Sequence, residues 1–228
     1  MPMMLKDETG TTLIELMVAL MTGLVIFSAL TVMVITTMHS SARVTARVEA
    51  TQRARIAMVR VMEQLHSACI APEIAPVREG STGNSLKFVH QTGSAVSPTP
   101  ILSVISYASG KLTQSDYATT GGSSPSWTFA TTPSSTRTLL TDVGPIPPST
   151  SIFSYHRYSA GAISETPQAT PLSGTEAALT VEVRAAMSAE PMLSPVSDAA
   201  AASNVRNSAT LRLTPPSFNE GSPSKPCQ

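Results

Sequence analysis

Large aromatic side chains are scarce: Phe, Tyr and Trp together make up 4% of the 228 residues, with a single Trp. A chain so poor in them has few bulky groups to fill a core, so whatever folds here is expected to be of modest stability alone. An excess of either charge is also missing. Lys and Arg number 15 against 15 Asp and Glu, which leaves no global field to collect nucleic acid or an anionic membrane; a DNA contact would have to be local, and nothing in the sequence supports one. Catalytic signatures are lacking too. His39, His66, His90 and His156 show no HExxH spacing, no Cys joins them at zinc-site intervals, and Asp116, Asp142, Glu165 and Asp198 are too scattered for a calcium loop. No GxSxG elbow, P-loop or dinucleotide fingerprint occurs, so no cofactor and no enzymatic activity is expected. Ser, Thr and Asp are abundant enough to draw a triad on paper, but composition alone accounts for that.

What the sequence does have is one long uncharged run. After a short polar segment, "MPMMLKDETG" at 1–10, residues 16–38 carry no charge and are long enough, at roughly 20 apolar residues, to span a bilayer as a helix. A cleavable secretory signal with its cut near Ala42 is the first rival, but a signal's apolar region is only about 7 to 15 residues. Residues 39–70 contain no Gly or Pro and are rich in helix formers. Val44, Val48, Met58, Met62, Leu65 and Cys69 fall on one face, with Thr51 and Arg55 filling the gap, and Pro72 and Pro76 place the helix end near Ala71.

Beyond residue 76 the period changes from helical to alternating. Leu179, Val181 and Val183 oppose Thr180, Glu182 and Arg184; Leu211 and Leu213 oppose Thr210, Arg212 and Thr214. Further strands are expected at 85–90, 101–109, 136–143 and 151–158, with a hairpin turn at Ser109–Gly110. The connections "QTGSAVSPTP", "TTGGSSPS", "GPIPPST" and "SAEPMLSPVSDAAAASN" are turn-rich, and no βαβ spacing appears, so the sheet should be antiparallel. His156, flanked by Tyr155, Arg157 and Tyr158, is the nearest thing to a ligand-touching patch; alternating strand residues more often divide between core and surface.

Glu15 interrupts this simple picture, because it stands at the leading edge of the apolar run. The stretch "GTTLIELMVAL" resembles the prepilin cleavage and methylation motif of type IV pilins and type II secretion pseudopilins, in which a short leader ends in Gly and the mature chain opens a long apolar helix. Here the match is Gly10 before the cut, Thr12, Leu13 and Ile14 after it, Glu15 as the fifth mature residue, and Leu16. Thr11 stands where the family commonly has Phe. The resemblance covers about the first quarter of the chain, and the order of the later strands looks like that of large minor pilins or pseudopilins. It implies cleavage after Gly10 by a prepilin peptidase, methylation of the new amine of Thr11, and assembly with other pilin or pseudopilin subunits by an inner-membrane platform and a cytoplasmic ATPase. The subunit would wait in membrane lipid, single-pass in the cytoplasmic membrane with its C-terminal domain extracytoplasmic, and then join a cell-surface or periplasmic filament.

Physical chemistry is consistent with a role for Glu15. A charged carboxylate at the bilayer centre costs about 2.5 to 3.5 kcal/mol on insertion scales, so it is rarely retained without a partner. Cleavage would supply one, the α-amine of Thr11, within the chain or on a neighbour. The plain alternative is a hydrated carboxylate at the end of an ordinary anchor, in an uncleaved single-pass protein carrying an extracytoplasmic binding domain. Topology favours neither reading simply: only Lys6 precedes the span, whereas Arg43, Arg47, Arg53 and Arg55 follow it, against the positive-inside rule, with Glu49 and Glu63 placed to share their charge. Cys69 and Cys227 admit two readings, a disulfide tying the tail to the helix end in an oxidising compartment, or a buried small hydrophobe and a lone tail thiol.

The fold expected is therefore α+β: a long N-terminal α-helix, membrane-spanning in its first half, packed on a small antiparallel β-sheet domain. Its parts are a leader at 1–10, a transmembrane and filament-core segment at 11–38, an amphipathic segment at 39–71, a β-rich domain at 72–214 and an irregular tail at 215–228.

Overall fold

The structure, a computed structural model, describes residues 12–69, 74–94, 97–123, 126–192 and 202–211. The chain divides into two compact units, one ending at Thr45 and the other beginning at Ala46. Helix α1, Leu13–His66, contributes to both.

In the first unit α1 opens with Glu15 N–H and Leu16 N–H donating to the Thr12 carbonyl at 3.0 and 3.1 Å. The large apolar side chains from Leu13 to Met38 are exposed. Its few hydroxyls bond back to the helix itself: Thr22 to Val18 O, Thr31 to Phe27 O and Thr37 to Met33 O, each within 2.8–2.9 Å. Donors satisfied in this way lower the cost of placing Thr in an apolar medium, where no water replaces a missing partner. Among the described residues this is the one helix long and apolar enough to cross a membrane.

The second unit holds a β-rich fold against the last part of α1. Strands β1 (Ser85–Ser94), β2 (Ser97–Ala108), β3 (Lys111–Ser123), β4 (Ser126–Phe129) and β5 (Ser135–Thr141) form one sheet in the order β1-β2-β3-β4, with β5 also on β3. Strands β6 (Val143–Gly144), β7 (Phe153–Ser159), β8 (Ala162–Ile163), β9 (Thr180–Ala189) and β10 (Ser203–Thr210) form a second, ordered β10-β9-β7-β8, with β6 also on β9. Every pairing between these strands is antiparallel, as expected, but the described residues form two five-stranded sheets where one was anticipated. A short helix α2, Gly174–Leu179, precedes β9.

One core joins these layers. Ala54, Ala57, Met58, Val61, Met62 and Leu65 of α1 cluster with Leu86, Phe88, Ile105 and Leu112 of the first sheet and Tyr155, Val183, Ala185 and Met187 of the second. The buried helix face is thus partly alanine, with Ala50 and Ala54 fully enclosed, and this corrects the expected stripe: Val44 and Val48 are 62% and 49% exposed and Arg55 is exposed. Alanines on this face add little bulk, so the filling of the core around them falls to Met58, Val61, Met62 and Leu65.

The helix ends at His66 rather than near Ala71. Strand pairing competes for the following residues before Pro72 is reached: Ala68 bridges to His90, Cys69 N–H donates to Val89 O at 2.9 Å, and Gln91 N–H donates to Ser67 O at 3.2 Å. The turn at Ser109–Gly110 is present, both residues having positive φ (49° and 75°), as a two-residue hairpin of type I′ requires. Two stretches read as connections are hairpins: β1 and β2 pair to Ser94↔Ser97, and β3 and β4 to Ser123↔Ser126. Strand 136–143 is interrupted at Asp142, whose φ of 55° separates β5 from β6.

Leu179 closes α2 instead of opening a strand. Ser173 caps that helix, its hydroxyl accepting from Glu176 N–H while Glu176 Oε2 accepts from Ser173 N–H at 2.8 Å. β9 then runs between β10 and β7, so Thr180 and Glu182 are buried along with Val181 and Val183, and clean alternation begins only at Arg184. Leu213 lies outside the described residues.

Candidate functional site

Of the residues expected to carry function, Glu15 is placed in the first turn of α1, exposed. A carboxylate there stands at the positive end of the helix dipole, beside the first-turn N–H groups that have no partner within the helix. Gly10 and Thr11 lie outside the described residues. On the same helix Leu16, Ala19, Leu20, Gly23, Leu24 and Phe27 line a shallow apolar furrow. Its floor is open at Gly23, where an added Cβ would meet nothing within 4 Å. Ala19 and Gly23 have the spacing at which helices approach closely in lipid.

The outer face of α1 in the second unit is also apolar in part. Ile56 and Val59 are 71% and 51% exposed, set between Arg55, Arg60 and Glu63 along a shallow groove. Arg53 pairs with Glu49 at 3.4 Å and donates to Glu190 O at 2.7 Å. Glu49 therefore shares charge with an arginine, as the helical spacing suggested.

A cluster that sequence reasoning missed lies where β1, β2, β3 and β5 adjoin. Arg137 Nη2 donates to Gln114 Oε1 at 2.7 Å, and Gln114 Nε2 donates to Asp116 Oδ1 at 2.6 Å. Ser103 Oγ donates to the same oxygen at 2.5 Å, and Ser135 Oγ donates to Oδ2 at 3.1 Å. His90 Nε2 stands 2.9 Å from Ser103 Oγ, whose proton is already given to Asp116, so the imidazole is the donor. The three residue types of a hydrolase triad are present in an order that cannot work: the serine proton belongs to the carboxylate, and Ser103 and Gln114 are buried with His90. The arrangement is a satisfied polar network. The cross-strand register Ser103↔Asp116 was the signal that could have found it, and it becomes visible only once the hairpin at Ser109–Gly110 is used to align β2 with β3.

Electrostatics follow the geometry. Burial pushes the His90 imidazole below its ordinary value, against the opposing pull of the Asp116 carboxylate. Burial alone would raise Asp116; hydrogen bonds from Ser103, Gln114 and Ser135, with the Arg137 charge, outweigh it and hold the carboxyl below its ordinary value.

His156 is buried, its Nδ1–H donating to Ser164 O at 2.7 Å and its Nε2 lying 3.1 Å from Ser154 Oγ. Both ring nitrogens are thus occupied, but the strand does not divide by alternation: Tyr155 and His156 are both buried, and a register shift between His156 and Arg157 leaves Arg157 exposed. Arg184 nearby bonds Glu165 at 2.7 Å and Glu182 at 2.9 Å. Among the described residues no group of His, Cys, Asp and Glu is placed to hold a metal ion. Cys69 is fully buried and disulfide-bonded; Cys227 lies outside the described residues. No protein-family model matches the chain, and no curated protein or solved structure matches it either.

Proposed function

We propose that this chain is a minor pilin or pseudopilin, a non-enzymatic subunit that a prepilin peptidase cleaves after Gly10 and that assembles through α1 into a type IV pilus or a secretion or competence pseudopilus. The observation that carries the proposal is the placement of Glu15 within the first turn of a helix whose following surface is apolar on all sides. A cationic partner lowers the cost of holding a charged carboxylate away from water, and the α-amine created at Thr11 is the nearest one that processing can supply. Two further features support the reading. The large apolar side chains between Leu13 and Met38 are exposed, with no cover among the described residues, and lipid or other helices would supply it. In the second unit Ile56 and Val59 are exposed on the side of α1 opposite its alanine face.

In this scheme residues 16–38 serve first as a membrane anchor and then as packed filament core. Hydrophobicity holds helices together without fixing how far one slides along another. The Glu15 carboxylate and a neighbour's Thr11 amine would fix that register, since a pair in low dielectric loses most of its energy when separated.

The test is to express Glu15→Ala and Glu15→Val beside the wild type and quantify each in sheared filaments or in the pathway the filament serves. Both variants are expected to accumulate in the membrane, cleaved, and to be depleted from filaments. Incorporation of both at wild-type levels would contradict the role of Glu15 even if cleavage is intact.

A further inference from the structure

Leu86 and Phe88 of β1, Ile105 of β2, Leu112 of β3 and Leu140 of β5 belong to the core, so the residues that alternate with them form the opposite, outward face of the first sheet. On that face the strand register lines up hydroxyls. Ser85 pairs with Ser106, Ser106 with Thr113 and Thr113 with Thr138, one hydroxyl side chain from each of four neighbouring strands. At about 4.8 Å per strand the row spans about 14 Å. The row on one side of it holds Lys87, Val104, Ser115 and Thr136, and the row on the other holds Ala108 and Lys111. Ser106 Oγ lies 3.1 Å from Thr113 Oγ1, and Ser115 Oγ lies 3.1 Å from Thr136 Oγ1, so these hydroxyls are held in place across the strands. Lys111, Thr136 and Thr138 are exposed, while Ser85, Ser106, Thr113 and Ser115 are half-buried.

Charge on this face has one sign. The outward positions of β1, β2, β3 and β5 carry Lys87 and Lys111 and no Asp or Glu, in a chain balanced at 15 charges of each sign. Asp116 of β3 points the other way, into its network with Ser103 and Gln114. Lys87 stands at the β1 edge with its Nζ beside Gly80. A third cation, the Arg78 guanidinium, lies 5.9 Å from the ring of Phe129, which shares the face through its pairing with Thr119. Tyr117, half-buried opposite Leu102, adds a second ring.

We propose that this face binds an acidic polysaccharide, a chain of sugar rings that carry carboxylates. Lys87, Lys111 and Arg78 meet the carboxylates, the hydroxyl rows exchange hydrogen bonds with sugar hydroxyls, and the Tyr117 ring offers its electron-rich face to sugar C–H groups. Charge density decides against nucleic acid. A DNA duplex carries one negative charge per about 1.7 Å of axis, far more than three cations neutralise. A polymer with one carboxylate per sugar separates its charges by hydroxyls, as this face separates its cations. The inference is independent of filament assembly and holds equally for an uncleaved anchor.

Full-length protein in detergent should raise the fluorescence anisotropy of a fluorescein-labelled oligomer of mannuronic acid, with an affinity that falls as salt is added. A neutral dextran oligomer of equal length should bind at least tenfold more weakly. Lys87→Gln combined with Lys111→Gln should weaken binding of the oligouronate at least tenfold. Thr113→Val combined with Thr138→Val, which keeps the β-branched shape suited to a strand, should weaken it at least threefold. Each variant should keep the wild-type far-UV circular dichroism. Where a double variant fails to fold, the single changes Lys111→Glu and Thr138→Val, both at exposed positions, decide in its place. No binding of the oligouronate, equal binding of dextran, tighter binding of a DNA duplex, or unchanged affinity in the folded variants overturns the proposal.

Discussion

Ser103 gives its proton to Asp116 and accepts one from His90, and this direction decides what acid does to the domain. His90 takes up a proton less readily when folded than when unfolded, so its contribution to stability declines as pH falls below about 6.5, the ordinary histidine value. Asp116 is depressed, so its contribution is present above about pH 3.9, the ordinary aspartate value, and is lost as pH falls further through its folded value. Both residues therefore act in the same direction, with His90 titrating first. In urea unfolding, wild type should lose more stability between pH 7 and pH 5 than His90→Gln, whose amide still donates to Ser103; equal losses would contradict the assignment. Asp116→Ala strands the Ser103 and Gln114 donors and should cost about 1 to 3 kcal/mol at pH 7 by the same measurement. None of this network was legible residue by residue, because each member is an ordinary polar residue until strand pairing brings it beside the others. Glu15 was legible because its anomaly is local: a carboxylate against an apolar run needs no tertiary information to be noticed.

Elements whose determinants are local were the easiest to read. The Ser109–Gly110 hairpin and the apolar half of α1 follow from short sequence, whereas the end of α1 depended on β1 capturing Ser67–Cys69, a long-range event. The alanine face was missed for a related reason: Ala50, Ala54 and Ala57 look neutral in a hydrophobic pattern, and they become a packing surface only when a sheet comes close. That face yields a paired prediction. Ala54→Leu should overpack the core and cost about 1 to 3 kcal/mol in chemical unfolding. Ile56→Ala, on the exposed side, should change domain stability by less than about 0.5 kcal/mol. Similar losses for the two would mean that the buried face is misassigned. The β3–β4 hairpin depends on Gly122, where φ is +85° and an added Cβ would clash with the Ser126 carbonyl oxygen. Gly122→Ala should destabilise that hairpin by at least about 1 to 3 kcal/mol, visible as faster amide exchange across 119–129. Unchanged exchange there would contradict the turn geometry.

At the scale of the whole molecule the α+β class and antiparallel pairing were legible from the change of period near residue 76. The number of sheets was not, since alternation says that a strand has two faces and nothing about which strands share a sheet. The functional account joins three features that composition alone separates: a segment ending in Gly10, a carboxylate at Glu15, and a helix whose apolar surface no other described residue covers. An uncleaved anchor would display the last two equally well, so processing discriminates. Intact-mass spectrometry of protein extracted from a host with a functional prepilin peptidase measures it directly. The account predicts a chain beginning at Thr11, and full-length chain in the same host without the peptidase. Residues 1–10 still attached in both hosts, or a chain released at Arg43, would contradict it.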